Sequence, residues 1–243
     1  QAEIDNAAQA IETAIKDLKK RDPYKPVQIP QDAVKISSQA DFAQIKDAKD
    51  KYYVLTQDIV IDGTYKNYSA FGGVLDGQGH TIRFDGGGKL FAGIQAGAVI
   101  QNVSLTGTVR NSRTEESAPF GDYSYGSILN CRSDVSGEYV SGFVRKLRYD
   151  SYDQAKGIIA NSVFVGDTGK GAFFAENSGG EIYGSYAVGV NSEEEMVSKE
   201  LVSKLNAGRG EYGTQWGQGK DGYPYFGPDQ EYDGSVSWPE LPQ

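Results

Sequence analysis

The chain contains one cysteine, one histidine and one methionine among its 243 residues, and these shortages exclude several kinds of protein. A disulfide framework needs paired cysteines, and a common zinc site needs three or four ligands drawn largely from His and Cys. We therefore predict no disulfide, no metal site and no cofactor. A nucleophilic cysteine needs a base nearby, so we interpret Cys131 as a small buried residue. We interpret His80 as a turn residue whose ring hydrogen-bonds a neighbouring backbone group.

Positive charge and long apolar runs are also scarce. The 24 Lys and Arg residues face 33 Asp and Glu, which gives a net charge of −9. Such a surface repels nucleic acid and anionic membranes, and no basic stripe with interleaved aromatic residues occurs. No apolar stretch is long enough to span a bilayer, and no signal peptide is present. We therefore expect no nucleic-acid partner and no membrane span in this segment. If the protein is secreted, its signal peptide was removed or lies upstream.

Glycine and tyrosine are abundant, at 31 and 16 residues, and the glycines occur in a pattern typical of turns between strands. The β-branched runs Tyr53–Ile61 and Val74–Phe84 both meet an Asp-Gly pair, which supplies the positive-φ corner of a sharp turn. The pattern then repeats with drift as VIQNVSL, ILNCRSDV, IIANSVF and IYGSYA. Recurrence over a few tens of residues predicts a solenoid in which each repeat packs only against its neighbours.

Asparagine marks one position of this repeat. The residues are Asn102, Asn130 and Asn161, spaced by 28 and 31 residues, and Gly184 takes the equivalent position 23 residues later. Equivalent positions of a solenoid stack, so we predict a structural ladder of amide hydrogen bonds rather than a ligand-binding site. The phenylalanines that precede these strands are interpreted as aromatic filling of the same core: Phe91, Phe120, Phe143 and Phe173.

The run from Lys51 to Val109 resembles the right-handed β-helix modules of large Gram-positive surface proteins. Its matching segments are YYVLTQDIVI, GVLDGQGHTIRF, KLFAGI and AVIQNVSLTGTV. These modules are grouped under the GLUG motif and also occur as the non-catalytic β-helix of secreted immunoglobulin-A metalloproteases. The resemblance extends loosely over Val34 to Phe226, where the motif's glycine-valine-glycine signature is poorly kept. The turn DGQGHTI at Asp76–Ile82 is also similar to one in pectin-degrading β-helix enzymes.

The resemblance implies an all-β fold: a single-stranded, right-handed parallel β-helix, or pectate-lyase-like solenoid, of about five to seven short coils over residues 34–190. The helical spacing of Ile4, Ile11 and Leu18 on one stripe predicts an amphipathic helix over residues 1–22. This helix is similar to the last helix of a FIVAR module, and its alternative role is to cap the N-terminal end of the solenoid. Residues 23–33 are then a linker that begins with prolines.

The C-terminal part differs in composition. Ser192 begins a capping box before a short helix that carries Val197, Leu201 and Leu205 on one face. An aromatic cluster around Trp216 follows. Because a solenoid must cover its last coil, we predict that residues 191–228 form a C-terminal cap. Residues 229–243 are rich in proline, glycine and acids and are interpreted as a tail.

Two segments, Arg110–Tyr125 and Arg145–Tyr152, are predicted as insertions that break the repeat and carry charge with exposed aromatic side chains. Loops projected from a rigid scaffold are common binding elements, and Tyr and Arg are enriched at recognition hot spots. We expect the two insertions to lie side by side and to form a groove for an acidic sugar or a carboxylate. Its candidate contacts are Tyr123, Tyr125, Arg145, Arg148 and Tyr149.

No catalytic residue is assigned. No close carboxylate pair recurs at one repeat position, and no His-Glu-x-x-His motif is present, so metalloprotease activity cannot reside in this chain. We therefore predict a non-catalytic extracellular module of a bacterial cell-surface protein, a monomeric rigid spacer or adhesin whose partner is a glycan or a host surface protein. The alternative is a polysaccharide-degrading β-helix enzyme, either a glycosidase or a lyase.

Overall fold

The computed structural model describes residues 23–45, 49, 51–66, 69–110 and 116–230. The predicted helix over residues 1–22 and most of the predicted tail lie outside these ranges. The described part is mostly β-structure, and its three large sheets are built almost entirely from parallel strand pairs. The expectation of an all-β, parallel fold is therefore confirmed.

Each large sheet is defined by its strands. Sheet A contains seven: β1 (Val34–Ile36), β2 (Tyr52–Leu55), β5 (Val74–Asp76), β8 (Val99–Gln101), β11 (Ser127–Leu129), β15 (Ile158–Ala160) and β18 (Glu181–Tyr183). Sheet B contains six: β3 (Ile59–Asp62), β6 (Thr81–Asp85), β9 (Ser104–Thr108), β12 (Arg132–Ser136), β16 (Val163–Phe164) and β19 (Tyr186–Ala187). Sheet C contains β4 (Ala70–Phe71), β7 (Gly93–Ile94), β10 (Gly121–Ser124), β13 (Val144–Asp150), the antiparallel edge strand β14 (Ala155–Lys156) and β17 (Glu176–Ser178).

From β2 onward, successive strands belong to sheets A, B and C in that order. One such set of strands is called a round below. Each round pairs in parallel register with the next, as Leu75 does with Ile100, Ile100 with Ile128, and Ile128 with Ile159. All four side chains are 0 % exposed, so residues of the same register stack into one apolar column. The core therefore lies between the three sheets and continues from round to round.

Stacked aromatic rings fill the core beside sheet C. The ring centroids of Phe71 and Phe91 are 4.7 Å apart, and those of Phe120 and Phe143 are 6.3 Å apart. Phe174, rather than the predicted Phe173, continues this stack at 6.0 Å from Phe143. Phe173 packs instead against Phe164, since adjacent residues of an extended chain point to different sides.

The first round is closed by helix α1 (Gln39–Ala43). Ser38 caps it by accepting a hydrogen bond from the Asp41 backbone N–H, and Gln39 bonds both the backbone and the carboxylate of Asp62 at the edge of sheet B. Phe42 is 0 % exposed, with its ring 6.4 Å from that of Phe91. Helix α1 thus occupies the place that a preceding strand would take.

Two C-terminal helices, α2 (Glu193–Met196) and α3 (Lys199–Gly208), stand where one was predicted. Ser192 caps the first as expected, but Val197 ends it and Ser198 begins the second by accepting from the Leu201 N–H. Their apolar side chains pack with Val163 and Val165, which flank the inward-facing Phe164 and so point out of sheet B. The predicted cap therefore covers a flank of the stack. It continues into the antiparallel pair β20 (Trp216–Gln218) and β21 (Pro224–Phe226).

We predict that Phe42→Ala lowers the free energy of unfolding by about 3–5 kcal/mol, because it leaves a cavity at the closed end of the core. The control is Val60→Ala, since Val60 is 51 % exposed and its truncation removes little buried surface. Urea unfolding followed by circular dichroism measures both. Equal midpoints for the two variants would show that α1 does not close the first round.

Candidate functional site

Each of the two predicted insertions contains a regular strand. Gly121–Ser124 is β10 and Val144–Asp150 is β13, and the two pair in parallel with Tyr123 opposite Lys146. Burial of Val144 and Leu147 in the core holds the second segment in the sheet despite its charged neighbours. The prediction of loops was therefore wrong, although the predicted adjacency of the two segments is observed. Of the first segment, residues 111–115 lie outside the described ranges.

Three of the five predicted contact residues form one cluster on sheet C, called the Tyr–Arg surface below: Tyr123, Tyr125 and Arg148. The two ring centroids are 5.7 Å apart, and the guanidinium carbon of Arg148 lies 5.9 Å from the centre of the Tyr123 ring. An Arg148 Nη1–H points to the Tyr125 hydroxyl oxygen at 3.4 Å. A cation over an aromatic face is attracted to the ring quadrupole, so the arginine is held parallel to the surface rather than extended into solvent.

Glycine makes room for this cluster. Tyr123 extends over Gly93 of the preceding round, where an added Cβ would lie 2.5 Å from the tyrosine ring. Any side chain at this position would push the ring away from its place beside Tyr125. The close approach of backbone to ring therefore needs glycine at residue 93.

The other two predicted residues flank the cluster. Arg145 Nε lies 3.8 Å from Asp122 Oδ1, and Lys89 Nζ also contacts the Asp122 carboxylate. Tyr149 is 39 % exposed and donates its hydroxyl to Gln154 Oε1 at 2.7 Å, across the β13–β14 hairpin. Arg145 is thus partly neutralised by a carboxylate, whereas Arg148 contacts the side chains of Tyr123 and Tyr125.

This arrangement can bind a planar or ring-shaped anion. Arginine offers several N–H donors in a fixed plane that matches a carboxylate, and tyrosine rings provide flat apolar contact area with a polar edge. The geometry of this surface suits recognition.

The three asparagines of the repeat stand at one corner between sheets A and B, and their side chains are joined in series. Asn130 Nδ2 donates to Asn102 Oδ1 at 2.8 Å, and Asn161 Nδ2 donates to Asn130 Oδ1 at 2.8 Å. Their φ angles are 56°, 52° and 50° for Asn102, Asn130 and Asn161, a left-handed conformation that asparagine tolerates better than most residues. Each corner therefore turns the chain and presents an amide to the next round.

The ladder also holds the last turn of α3 and the chain that follows it, together called the strap below (residues 205–216). Asn161 donates to the Leu205 carbonyl at 2.9 Å and Asn130 to the Thr214 carbonyl at 3.0 Å. The indole N–H of Trp216 donates to Asn130 Oδ1 at 2.6 Å. Asn102 donates to the Tyr212 carbonyl and accepts from the Thr214 N–H. Each amide thus bonds both its neighbour in the ladder and the strap.

A buried carboxylate ends the ladder. Asp76 Oδ1 accepts from Asn102 Nδ2 at 3.0 Å, and its Oδ2 accepts from Gln101 Nε2 at 2.9 Å. Burial raises the pKa of Asp76 above its ordinary value, although these hydrogen bonds act in the opposite direction. Gln101 in turn exchanges two hydrogen bonds of 2.7 Å with the backbone of Val27, which fixes the predicted linker against sheet A.

Cys131 is buried, and His80 lies beside a carboxylate. Cys131 is 0 % exposed, and burial raises the pKa of its thiol to about 12, so the thiolate is not formed near neutral pH. We expected the His80 ring to hydrogen-bond a neighbouring backbone group. Its Nδ1 instead lies 3.4 Å from the Asp58 carboxylate. Within the described ranges, no cluster of three or more His, Cys, Asp or Glu residues suits a metal ion, and no helix is long and apolar enough to cross a membrane.

The partners of the ladder are Gln101, Asp76 and Trp216, which hold it at both sides. The sequence indicated Asp76 only as a turn residue and Trp216 only as part of an aromatic cluster. For Gln101, its position directly before Asn102 could have indicated a role in the ladder. A glutamine at the end of a strand, beside a buried amide, adds two N–H donors and one acceptor.

We predict that Asn130→Asp lowers the free energy of unfolding by at least about 3 kcal/mol. The carboxylate keeps the shape but cannot donate to Asn102 Oδ1 or the Thr214 carbonyl, and each buried group left unpaired costs about 1–3 kcal/mol. The control is Asn177→Asp, because the exposed Asn177 only accepts, from the N–H groups of Gly179 and Gly180. Thermal unfolding of the two variants checks the prediction, and similar melting temperatures would contradict it.

We predict that Gly184→Asn extends the ladder and raises the free energy of unfolding by about 0.5–1.5 kcal/mol, the value of one hydrogen bond. Gly184 has φ 53°, an added Cβ there meets nothing within 4 Å, and the residue lines a cavity of about 680 Å³ beside Asn161. Gly184→Ala is the control, since it adds a Cβ in the same conformation without an amide. If the alanine variant is as stable as the asparagine variant, no new rung has formed.

Comparison with known proteins finds no family model, no curated protein and no solved structure that matches this chain.

Proposed function

We propose that this chain is a non-catalytic, extracellular module of a bacterial cell-surface protein, built as one right-handed parallel β-helix that binds an acidic glycan. The order A, B, C of the sheets and the in-register stacking of successive rounds support the solenoid. Parallel strands joined by crossover connections are right-handed in the great majority of proteins, which supports the proposed hand. The resemblance of Lys51–Val109 to GLUG-type modules supports the extracellular assignment.

The Tyr–Arg surface is the observation that carries the glycan part of the proposal. Sugar rings pack on flat aromatic faces, and a carboxylate pairs with a guanidinium through two parallel hydrogen bonds. Tyr123, Tyr125 and Arg148 provide both kinds of contact on neighbouring strands of one sheet. An acidic oligosaccharide lying along sheet C would contact successive rounds with successive sugar units.

Local charge makes an acidic ligand compatible with the acidic protein. Four basic residues lie on or beside sheet C: Lys89, Arg145, Lys146 and Arg148. Among the described residues, their carboxylate neighbours are Asp122 and Glu176. Charges within a few ångströms decide the final approach, while the net charge acts at longer range and is screened by salt. Binding should therefore weaken as ionic strength rises.

A rigid scaffold suits a module that separates or presents other parts of a surface protein. Consecutive rounds share one core and one amide ladder. The described residues between 51 and 190 therefore contain no flexible linker at which the stack would bend. We propose that the module acts as a monomeric spacer and adhesin, with a glycan or a glycosylated host surface protein as its partner.

The experiment that tests the glycan proposal is calorimetric titration with matched acidic and neutral oligosaccharides, such as oligogalacturonate against maltohexaose and sialyllactose against lactose. We expect binding only to acidic sugars. Arg148→Ala should weaken it about tenfold, which corresponds to roughly 1.4 kcal/mol. Arg148→Lys should recover only part of the loss, because lysine lacks the planar pair of donors.

Arg83→Ala is the matched control, since Arg83 is an exposed arginine of sheet B, away from the Tyr–Arg surface. Equal affinity of Arg148→Ala and the unaltered protein would end the assignment of this surface. The same sugars are also incubated with the protein for hours and analysed for reducing ends and unsaturated products. Turnover that depends on an aspartate would overturn the non-catalytic proposal in favour of a polysaccharide-degrading enzyme.

A further inference from the structure

The amide ladder ends one round before the corners do. The corner of the last round is Gly184, whose φ of 53° lies within the range of 50° to 56° that the three asparagines adopt. A Cβ added to Gly184 would meet no atom of the described residues within 4 Å. The backbone therefore turns as in the earlier rounds, but this corner carries no amide.

The last asparagine of the ladder consequently has an acceptor that no rung uses. The Oδ1 atoms of Asn102 and Asn130 each accept two hydrogen bonds, one from the next asparagine and one from the strap. Asn161 donates through Nδ2 to Asn130 Oδ1 and to the Leu205 carbonyl, but no donor of the described residues reaches its Oδ1. The residue is only 6 % exposed. A buried acceptor without a donor favours any ligand that donates to it.

This acceptor lies at a cavity of about 680 Å³, which Asn161 lines together with Gly184 and Gly208. A Cβ on Gly208 would lie 2.4 Å from Asn161 Oδ1, so a larger residue at the end of α3 would cover the oxygen. Glycine at both positions keeps the oxygen accessible from the cavity. Small-molecule sites commonly have volumes of about 300–1,000 Å³, so this cavity has the size of a binding site.

Tyrosine rings form the sides of the cavity. Tyr183 is 63 % exposed, and its ring centroid lies 4.8 Å from that of Tyr24. The Tyr24 hydroxyl donates to Glu181 Oε2 at 2.5 Å, and Lys156 Nζ donates to the other oxygen of that carboxylate at 2.7 Å. Tyr186 lines the cavity beside α3 and packs against the apolar side chains of the C-terminal helices. Rings held in place in this way reduce the entropy that is lost when a ligand binds.

An acetamido group on a sugar ring matches these surroundings. It has the same N–H and C=O groups as an asparagine amide, so it can donate to Asn161 Oδ1 in the position of a fourth rung. Tyrosine rings offer flat apolar area with a polar edge, which suits the face of a pyranose and its hydroxyl groups. Lys25 and Lys204 also line the cavity and can donate to the carbonyl or hydroxyl oxygens of the same ligand.

We propose that this cavity is a second binding site, which takes an N-acetylated amino sugar with its acetamido N–H on Asn161 Oδ1 and its ring against Tyr183. The cavity lies at the end of the ladder, whereas the Tyr–Arg surface lies on sheet C, and the proposal does not rest on binding at that surface. The ligand supplies the rung that Gly184 lacks. The groups that stack successive rounds thereby also recognise the sugar.

NMR titration of the full chain tests the proposal with N,N′-diacetylchitobiose and cellobiose, two disaccharides that differ only in their acetamido groups. We expect the first to shift the amide signals of Asn161, Gly184 and Gly208 and to bind at least tenfold more tightly than cellobiose. Equal affinities would overturn the proposal. Shifts at Tyr125 and Arg148 instead would assign the sugar to the Tyr–Arg surface and overturn the second site. Binding of acetyl-asparagine-amide without binding of the disaccharide would replace the sugar by a peptide side chain.

Gly184→Asn is the matched variant, because it places an amide of the chain itself where the acetamido group binds. It should weaken binding of the acetylated disaccharide at least tenfold in a folded protein, whereas Gly184→Ala, which adds no amide, should keep the affinity within about threefold. Tyr183→Ala should weaken binding about tenfold. Its control is Tyr152→Ala, since Tyr152 is 94 % exposed in the turn between β13 and β14. Unaltered affinity in both Gly184→Asn and Tyr183→Ala would contradict the proposal.

Discussion

The amide ladder at the corner between sheets A and B is the interaction on which the rest of the structure depends. Asn102, Asn130 and Asn161 each adopt a positive φ that turns the chain, and each uses the resulting side-chain position to bond the next round. A buried amide is costly unless both donors and its acceptor are satisfied, and here the strap supplies the bonds that the ladder leaves over. Turning, stacking and attachment of the C-terminal segment therefore share one set of atoms.

The general fold and the position of the ladder followed from the sequence because they depend on local and periodic features. Asp-Gly corners, alternating β-branched residues and the spacing of the three asparagines are all set by short-range chemistry that repeats. The observed parallel sheets confirm the class of fold. The structure places Asn102, Asn130 and Asn161 in the hydrogen-bonded series that their spacing indicates.

The remaining features depend on contacts between residues that are distant in sequence, and no single segment indicates those contacts. The strap lies on the ladder because Trp216, Thr214 and Leu205 each meet an amide of another round. Val144 and Leu147 keep β13 in its sheet although the surrounding residues are charged, so a pattern that indicates a loop yields a strand. Two of the five candidate contact residues bond other partners instead of joining the Tyr–Arg surface. Arg145 lies beside Asp122, and Tyr149 bonds Gln154, which only the folded chain brings near.

The paths of the N-terminal stretch and the strap along the stack have a mechanical consequence. Both the stretch from Tyr24 to Val27 and the strap run along the outside of the stack and are bonded across several rounds. Tension applied through the flanking chain therefore acts first on the Val27–Gln101 pair and on the bonds between strap and asparagines, rather than on the parallel strand pairs. Those external bonds would break one after another as the segments peel away. The stack itself would keep its core until the peeling reached its first and last strands.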